Sequence, residues 1–130
     1  MTRGLLDTSI FIAREQHRPL GDLPDEAAIS VVTIGELELG VLAAGDEAVR
    51  SQRADTLALA RAADPIPISE AVISAFARLV HDCRTASLRP KLLDALIAAT
   101  AVEHGLPLIT QDDVFDAIAA AHPALTVRRV

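Results

Sequence analysis

The 130 residues suit one domain, long enough to bury a real core and too short for two. Half of them are apolar, with three Phe and neither Trp nor Tyr, so the core must come from Leu, Ile, Val and Ala, and no apolar stretch has the length of a membrane span. The formal net charge of −6 has the wrong sign for a protein that holds nucleic acid by its overall field, so an anionic substrate would need a local remedy such as bound divalent cations.

Gly4 to Ile12 begins as a short buried strand and meets Asp7, Thr8 and Ser9, residues that favour turns and helix N-caps. A helix capped by Thr8 or Ser9 is expected to run to about Arg14. Asp7 interrupts the apolar run and no small-residue cleavage site follows, which argues against a signal peptide. Gln16 to Asp25, with Pro19, Gly21 and Pro24, reads as a loop.

A second short strand is expected from Ala27 to Ser30, then a helix from Val32 to Ala44 with Ile34, Leu37, Val41 and Ala44 on its apolar stripe and Glu36 off its centre. Asp46 caps a further helix to about Ala63, whose mixed charges face solvent. Asp64 to Ile68 reads as a short strand between breakers, and Ser69 and Glu70 open a helix carrying Val72, Ile73, Phe76, Leu79 and Val80.

After a loop from Leu88 to Lys91 comes a helix from Leu92 to His104, apolar on nearly every face and ended by Gly105. Leu106 to Thr110 is an apolar strand running into Gln111, Asp112 and Asp113. An alanine-rich helix near Asp116 to Ala121 and a last strand from Leu125 to Arg129 complete the chain. Short apolar runs alternating with helices predict an α/β domain with a mostly parallel sheet of four to five short strands and helices on both faces. Right-handed crossovers then put Asp7 and Asp112 on one edge, at the ends of two strands.

Asp94 is the one ionisable group in the first turns of the apolar helix. Burying a carboxylate is unfavourable by several kcal/mol, so it must be protonated, paired with a cation or placed at the mouth of a polar site. A simple partner for the positive helix end is the plainer reading. Together with Asp7, Glu36 and Asp112 it makes a set of four acids expected to converge on one pocket. Clustered carboxylates repel unless cations lie between them, and hard oxygen donors without His or Cys suit Mg²⁺ or Mn²⁺.

These segments resemble the PIN-domain family, in particular the VapC-type toxins of bacterial toxin–antitoxin pairs. The likeness runs through Leu5 to Ser9, Ser30 to Gly40, Asp94 to Ala101 and Glu103 to Asp112, four pieces in the right order. It implies a three-layer α/β/α domain over residues 1–130 and a Mg²⁺- or Mn²⁺-dependent endoribonuclease leaving 5′-phosphate and 3′-hydroxyl ends. It also implies a homodimer and a cognate VapB-type antitoxin that inserts a segment into the acidic groove. Asp7, Glu36, Asp94 and Asp112 match the family's acidic positions, and Thr8, Ser9 and Thr110 its small hydroxyl residues. Leu93 stands where many relatives have Asn, and Val114 where many have an acid; Asp113 and Asp116 are the acids nearest that second position.

A dehalogenase-like phosphatase needs a second acid where Ser9 stands, and a receiver needs a late-strand Lys, whereas the sole lysine is Lys91. A PIN nuclease acting on DNA and a catalytically silent PIN-fold binding module are the remaining alternatives, the latter predicting loss of a carboxylate. His17, His81, His104 and His122 show no ligand spacing. Arg14, Arg18, Arg84, Arg89 and Lys91 flank loops on the expected active edge, where phosphate contacts would lie. The single Cys83 allows no intramolecular disulfide and suits a buried apolar position in a reducing cytoplasm.

Overall fold

The structure, a computed structural model, describes residues 1–130. Strand β1 (Arg3–Leu6) leads into helix α1 (Thr8–Glu15), β2 (Glu26–Ala28), α2 (Val31–Leu42), α3 (Glu47–Arg61), α4 (Glu70–Thr85), α5 (Leu92–Glu103), β3 (Leu108–Thr110), α6 (Val114–Ala121) and β4 (Val127–Arg129). The four strands form one sheet in the order β2-β1-β3-β4, with every pairing parallel.

Side chains along a strand alternate between faces, and here that alternation sorts the core into two layers. Leu5 and Leu108 face one layer with Leu79, Ile97, Phe115 and Ile118, from α4, α5 and α6. Leu6 and Ile109 face the other, with Ile10, Phe11, Leu37, Leu57 and Ala60 from α1, α2 and α3. The result is the expected three-layer α/β/α arrangement. Ala95, Ala98, Ala99 and Ala101 are fully buried, so α5 packs on short side chains.

Three caps set the helix starts. The side chains of Ser30, Asp46 and Ser69 accept hydrogen bonds from the backbone N–H groups of Val32, Val49 and Val72 at 3.0, 2.9 and 3.2 Å. Gly105 takes φ +62° just after α5, the left-handed conformation that ends a helix most cheaply at glycine.

The structure departs from expectation in several places. Asp7, rather than Thr8 or Ser9, occupies the N-cap position of α1, and its side chain makes no capping bond because it is turned to β3. Asp64 to Ile68 is not a strand but a single bridge between Ser30 and Ile66. Pro65 and Pro67 have no N–H to donate, so Ile66 alone pairs, its N–H to Ile29 and its carbonyl to Val31, each at 2.9 Å. Helix α5 is buried through its middle, yet Leu92 and Leu93 at its start are exposed. Two Phe, Phe11 and Phe115, join the aliphatic core.

The strand order places the site. β1 has β2 on one side and β3 on the other, so the chain leaves its C-terminal end in opposite directions, and in such sheets the crevice beyond those strand ends receives ligands. Asp7 closes β1 and Thr110 closes β3 at that point.

Candidate active site

The parallel register sets Leu6 opposite Ile109, which brings Asp7 level with Thr110. Asp7 is almost fully buried, and the Thr110 hydroxyl donates to its Oδ2 at 2.8 Å. Ser9 Oγ lies 3.2 Å from Thr110 Oγ1, and Thr110 also accepts the backbone N–H of Asp112 at 2.9 Å. Since Thr110 has one proton and gives it to Asp7, the proton between Ser9 and Thr110 belongs to Ser9. The hydroxyls thus run one way, from Ser9 to Thr110 to the Asp7 carboxylate.

A second chain of hydroxyls ends on Glu36. Thr8 Oγ1 donates to Glu36 Oε1 at 2.7 Å and stands 3.0 Å from Thr33 Oγ1. Thr8 has spent its proton, so Thr33 is the donor to Thr8. Thr33 and Glu36 are three residues apart on α2 and therefore share a helix face, the one turned to α1. Thr33 is fully buried. The sequence reading did not single it out, although its spacing from Glu36 carried the signal.

Asp94 stands in the first turn of α5, half-buried. The positive helix end favours its charged form. Desolvation outweighs that and raises its pKa above the usual carboxylate value, with Asp7, Glu36 and Asp112 pushing the same way and Lys91 alone pulling down. All four acids are therefore within electrostatic reach at one edge of the sheet. Asp112 is exposed, with Oδ1 accepting the backbone N–H of Val114 at 3.0 Å at the start of α6.

The other two acids lie to one side. Asp113 is the exposed N-cap residue of α6, and Asp116 faces Arg129 at 3.7 Å; neither enters the set of charges acting on Asp94. Two of the four acids line clefts, and not the same one. Glu36 lines a cavity of about 220 Å³ with Glu15 and Arg53, and Asp112 lines one of about 440 Å³ beyond Ser9. His122 is turned away to Asp82, with Nδ1 and Oδ2 2.7 Å apart, and Cys83 is a buried apolar filler whose thiol pKa burial raises.

No three His, Cys, Asp or Glu side chains close into a cage that would hold an ion alone. A divalent ion of the Mg²⁺ type does not require one, because it keeps several waters and uses one or two carboxylates. An all-oxygen set in which Asp94 is desolvated first and then crowded by Asp7, Glu36 and Asp112, with only Lys91 opposing, fits such an ion.

The PIN domain family profile matches residues 4–121. The chain belongs to the PIN-domain family. Within that family it is 67% identical over 100 residues to Ribonuclease VapC8 of Mycobacterium tuberculosis, covering 75% of this chain and 89% of that protein. It is 45% identical to Ribonuclease VapC4 of the same organism, over 89% of this chain and 91% of that one. A crystal structure of VapBC-5 from Mycobacterium tuberculosis, a member of the VapBC family of toxin–antitoxin systems, superposes with a TM-score of 0.85 at 37% identity, covering 100% of this chain and 98% of that one. The PIN fold here keeps its acids at the sheet edge, and no helix is long and apolar enough to cross a membrane.

Proposed function

We propose that this PIN domain is the toxin of a type II toxin–antitoxin pair and an endoribonuclease that hydrolyses RNA phosphodiester bonds with Mg²⁺, or Mn²⁺ in its place. The observation that carries this reading is the set of acids tied to one sheet edge, Asp7 by Thr110 at 2.8 Å, Asp112 N–H by the same hydroxyl at 2.9 Å and Glu36 by Thr8 at 2.7 Å, in a chain two-thirds identical over its matched length to a protein named a ribonuclease.

Asp7 and Asp94 are the principal ligands in this reading, with Glu36 and Asp112 completing the set directly or through waters. When bound, the ion supplies Lewis acidity toward water and a phosphate oxygen. The chain's own part is orientation. Thr110 holds one oxygen of Asp7 and leaves the other free, and Thr8 does the same for Glu36. Asp112 is fixed through Val114 N–H at the opening of α6. Thr8 and Thr110 give their protons to the Glu36 and Asp7 carboxylates that face the ion in this reading, and Ser9 gives its own to Thr110, so the three hydroxyls position groups and do not attack.

The partner in this reading is a cognate antitoxin, and the assembly a homodimer, in a reducing cytoplasm. Leu39 and Leu42, 64% and 75% exposed on α2 close to Glu36, supply an apolar ledge that a partner would cover.

The test is incubation of purified protein with structured RNA and with single-stranded DNA, each with Mg²⁺ or EDTA, beside Asp94→Asn. RNA cleavage that needs Mg²⁺ and vanishes in the variant is expected. Equal cleavage by Asp94→Asn would overturn the site, and cleavage of DNA alone would overturn the substrate.

A further inference from the structure

Beside the acidic edge lies a second feature that none of the four acids requires. The cleft of about 440 Å³ bounded by Ser9, Arg18, Gln111, Asp112, Asp113 and Arg129 has no apolar residue in its lining. Ser9 and Asp112 belong both to it and to the acidic edge, so the two adjoin.

Its two arginines come from opposite ends of the chain and are brought together by a specific staple. The Gln111 side-chain amide donates to the carbonyl of Pro19 at 2.8 Å and to that of Val130 at 3.3 Å. Those carbonyls belong to the residues immediately after Arg18 and Arg129, so one amide sets the separation of both guanidinium-bearing segments. Gly21 lets the loop close onto the C-terminal strand, since a Cβ there would come 3.3 Å from Val130 Cα. Arg128 Nη2 donates to the Asp22 carbonyl at 3.1 Å, a second tie between the same two segments. Neighbouring strand residues face opposite ways, which leaves Arg129 for the cleft.

Both guanidinium groups have donors to spare. Arg18 is exposed and makes no ion pair. Arg129 has one loose contact, 3.7 Å to Asp116, with both side chains about half-exposed, an arrangement of little energetic weight. A planar fork of donors suits phosphate oxygens better than a point charge does. In a chain of net charge −6, a polyanion must be held by such local cations.

We propose that this cleft is a phosphate subsite, in which Arg18 and Arg129 grip a backbone phosphate of the RNA strand flanking the bond to be cut, with Gln111 positioning both. This rests on the ribonuclease reading above. It adds that the strand leaves the acidic edge toward β4 and the loop after α1, and not across α2. Asp112 and Asp113 in the same lining offset the two arginines and keep the subsite near neutral, so binding there is selective for position along the strand and is readily reversed by salt.

The experiment compares wild type, Arg18→Ala/Arg129→Ala, the same pair changed to Lys, and a control that removes equal charge elsewhere, Arg50→Ala/Arg61→Ala on α3. Cleavage of an end-labelled transcribed RNA is followed in Mg²⁺, and RNA affinity is measured by fluorescence anisotropy across a salt series in an Asp94→Asn background. Thermal unfolding checks that each variant is folded. The Ala pair should raise KM with kcat nearly unchanged and reduce the slope of log affinity against log salt by about 0.7, the value for one neutralised single-strand phosphate. The Lys pair should restore most of that slope, and the α3 control should change neither quantity. An Ala pair with wild-type KM and salt slope, in a protein that cuts RNA, overturns the subsite while leaving the nuclease intact. An equal loss in the α3 control overturns it in favour of the overall field. Failure of the wild type to cut RNA overturns the functional reading itself.

Discussion

Thr33 and Thr8, 25 residues apart in the chain, meet hydroxyl to hydroxyl at 3.0 Å, and the proton between them belongs to Thr33 because Thr8 has given its own to Glu36. The Glu36 carboxylate, a metal ligand in the proposed function, is therefore held from behind by a buried relay that begins inside α2. Thr33→Val keeps the shape and removes the donor. It should destabilise the fold by about 1–2 kcal/mol, because Thr8 loses a partner in a buried place, and should weaken Mg²⁺ binding by leaving Glu36 less well oriented. Thr33→Ser should restore metal affinity more fully than stability. Thermal unfolding with and without Mg²⁺ separates the two effects.

Asp94 gives a prediction in which stability and activity move oppositely. Its pKa is raised in the fold, by desolvation first and then by Asp7, Glu36 and Asp112. The folded chain therefore binds a proton more tightly than the unfolded chain does. Between the ordinary value of 3.8 and the raised value, stability falls as pH rises, and above that window the full penalty of the charge is present. Asp94→Asn should therefore raise the unfolding temperature of the metal-free protein at neutral pH while abolishing cleavage. Mg²⁺ should raise the unfolding temperature of the wild type much more than that of the variant. An Asn variant less stable than wild type without metal would show that the carboxylate is a structural partner.

How much of this was legible in the sequence follows from the range of each interaction. Asp7 and Asp112 could be placed at strand ends because hydrophobic runs and their breakers are local patterns, and parallel pairing of β1 and β3 did the rest. Asp94 stood out because a lone carboxylate in an apolar helix is anomalous wherever that helix packs. Thr33 and Gln111 were missed because each acts on residues remote in sequence, Thr33 on Thr8 and Gln111 on Pro19 and Val130. The expected strand from Asp64 to Ile68 failed because Pro65 and Pro67, which read as breakers bounding it, flank Ile66 directly and leave that one residue to pair.

Gly4 lies in β1 with the Ile109 side chain against it, and an added Cβ would come within 2.7 Å of Ile109 Cγ1. Gly4→Ala should destabilise by about 1–3 kcal/mol by forcing β1 and β3 to shift, the two strands that align Asp7 with Thr110. Activity should fall beyond what the unfolded fraction explains, since orientation at the edge depends on that register. Gly105→Ala makes a useful contrast. It meets no neighbour but carries φ +62°, so it should lower stability by about 1 kcal/mol through backbone strain and leave activity per folded molecule unchanged. Chemical denaturation and rates normalised to folded protein give both comparisons.

Thr110 has used every hydrogen-bonding capacity of its hydroxyl: the proton goes to Asp7 and the lone pairs accept from Ser9 and from the Asp112 backbone. It therefore ties two of the four acids to the same atom. Thr110→Val leaves a buried Asp7 oxygen and the Asp112 N–H without that partner, and should destabilise by about 2 kcal/mol. Because Asp7 and Asp112 would then reorient independently, Mn²⁺ affinity should fall by about 10- to 100-fold, the range seen when groups behind a metal ligand are removed. Thr110→Ser retains the same donor and acceptors and should recover affinity while leaving a small cavity beneath β3. Mn²⁺ titration followed by electron paramagnetic resonance reads the affinity without needing turnover. Equal affinity in wild type and Thr110→Val would mean that Asp7 is fixed by its buried backbone and not by the hydroxyl.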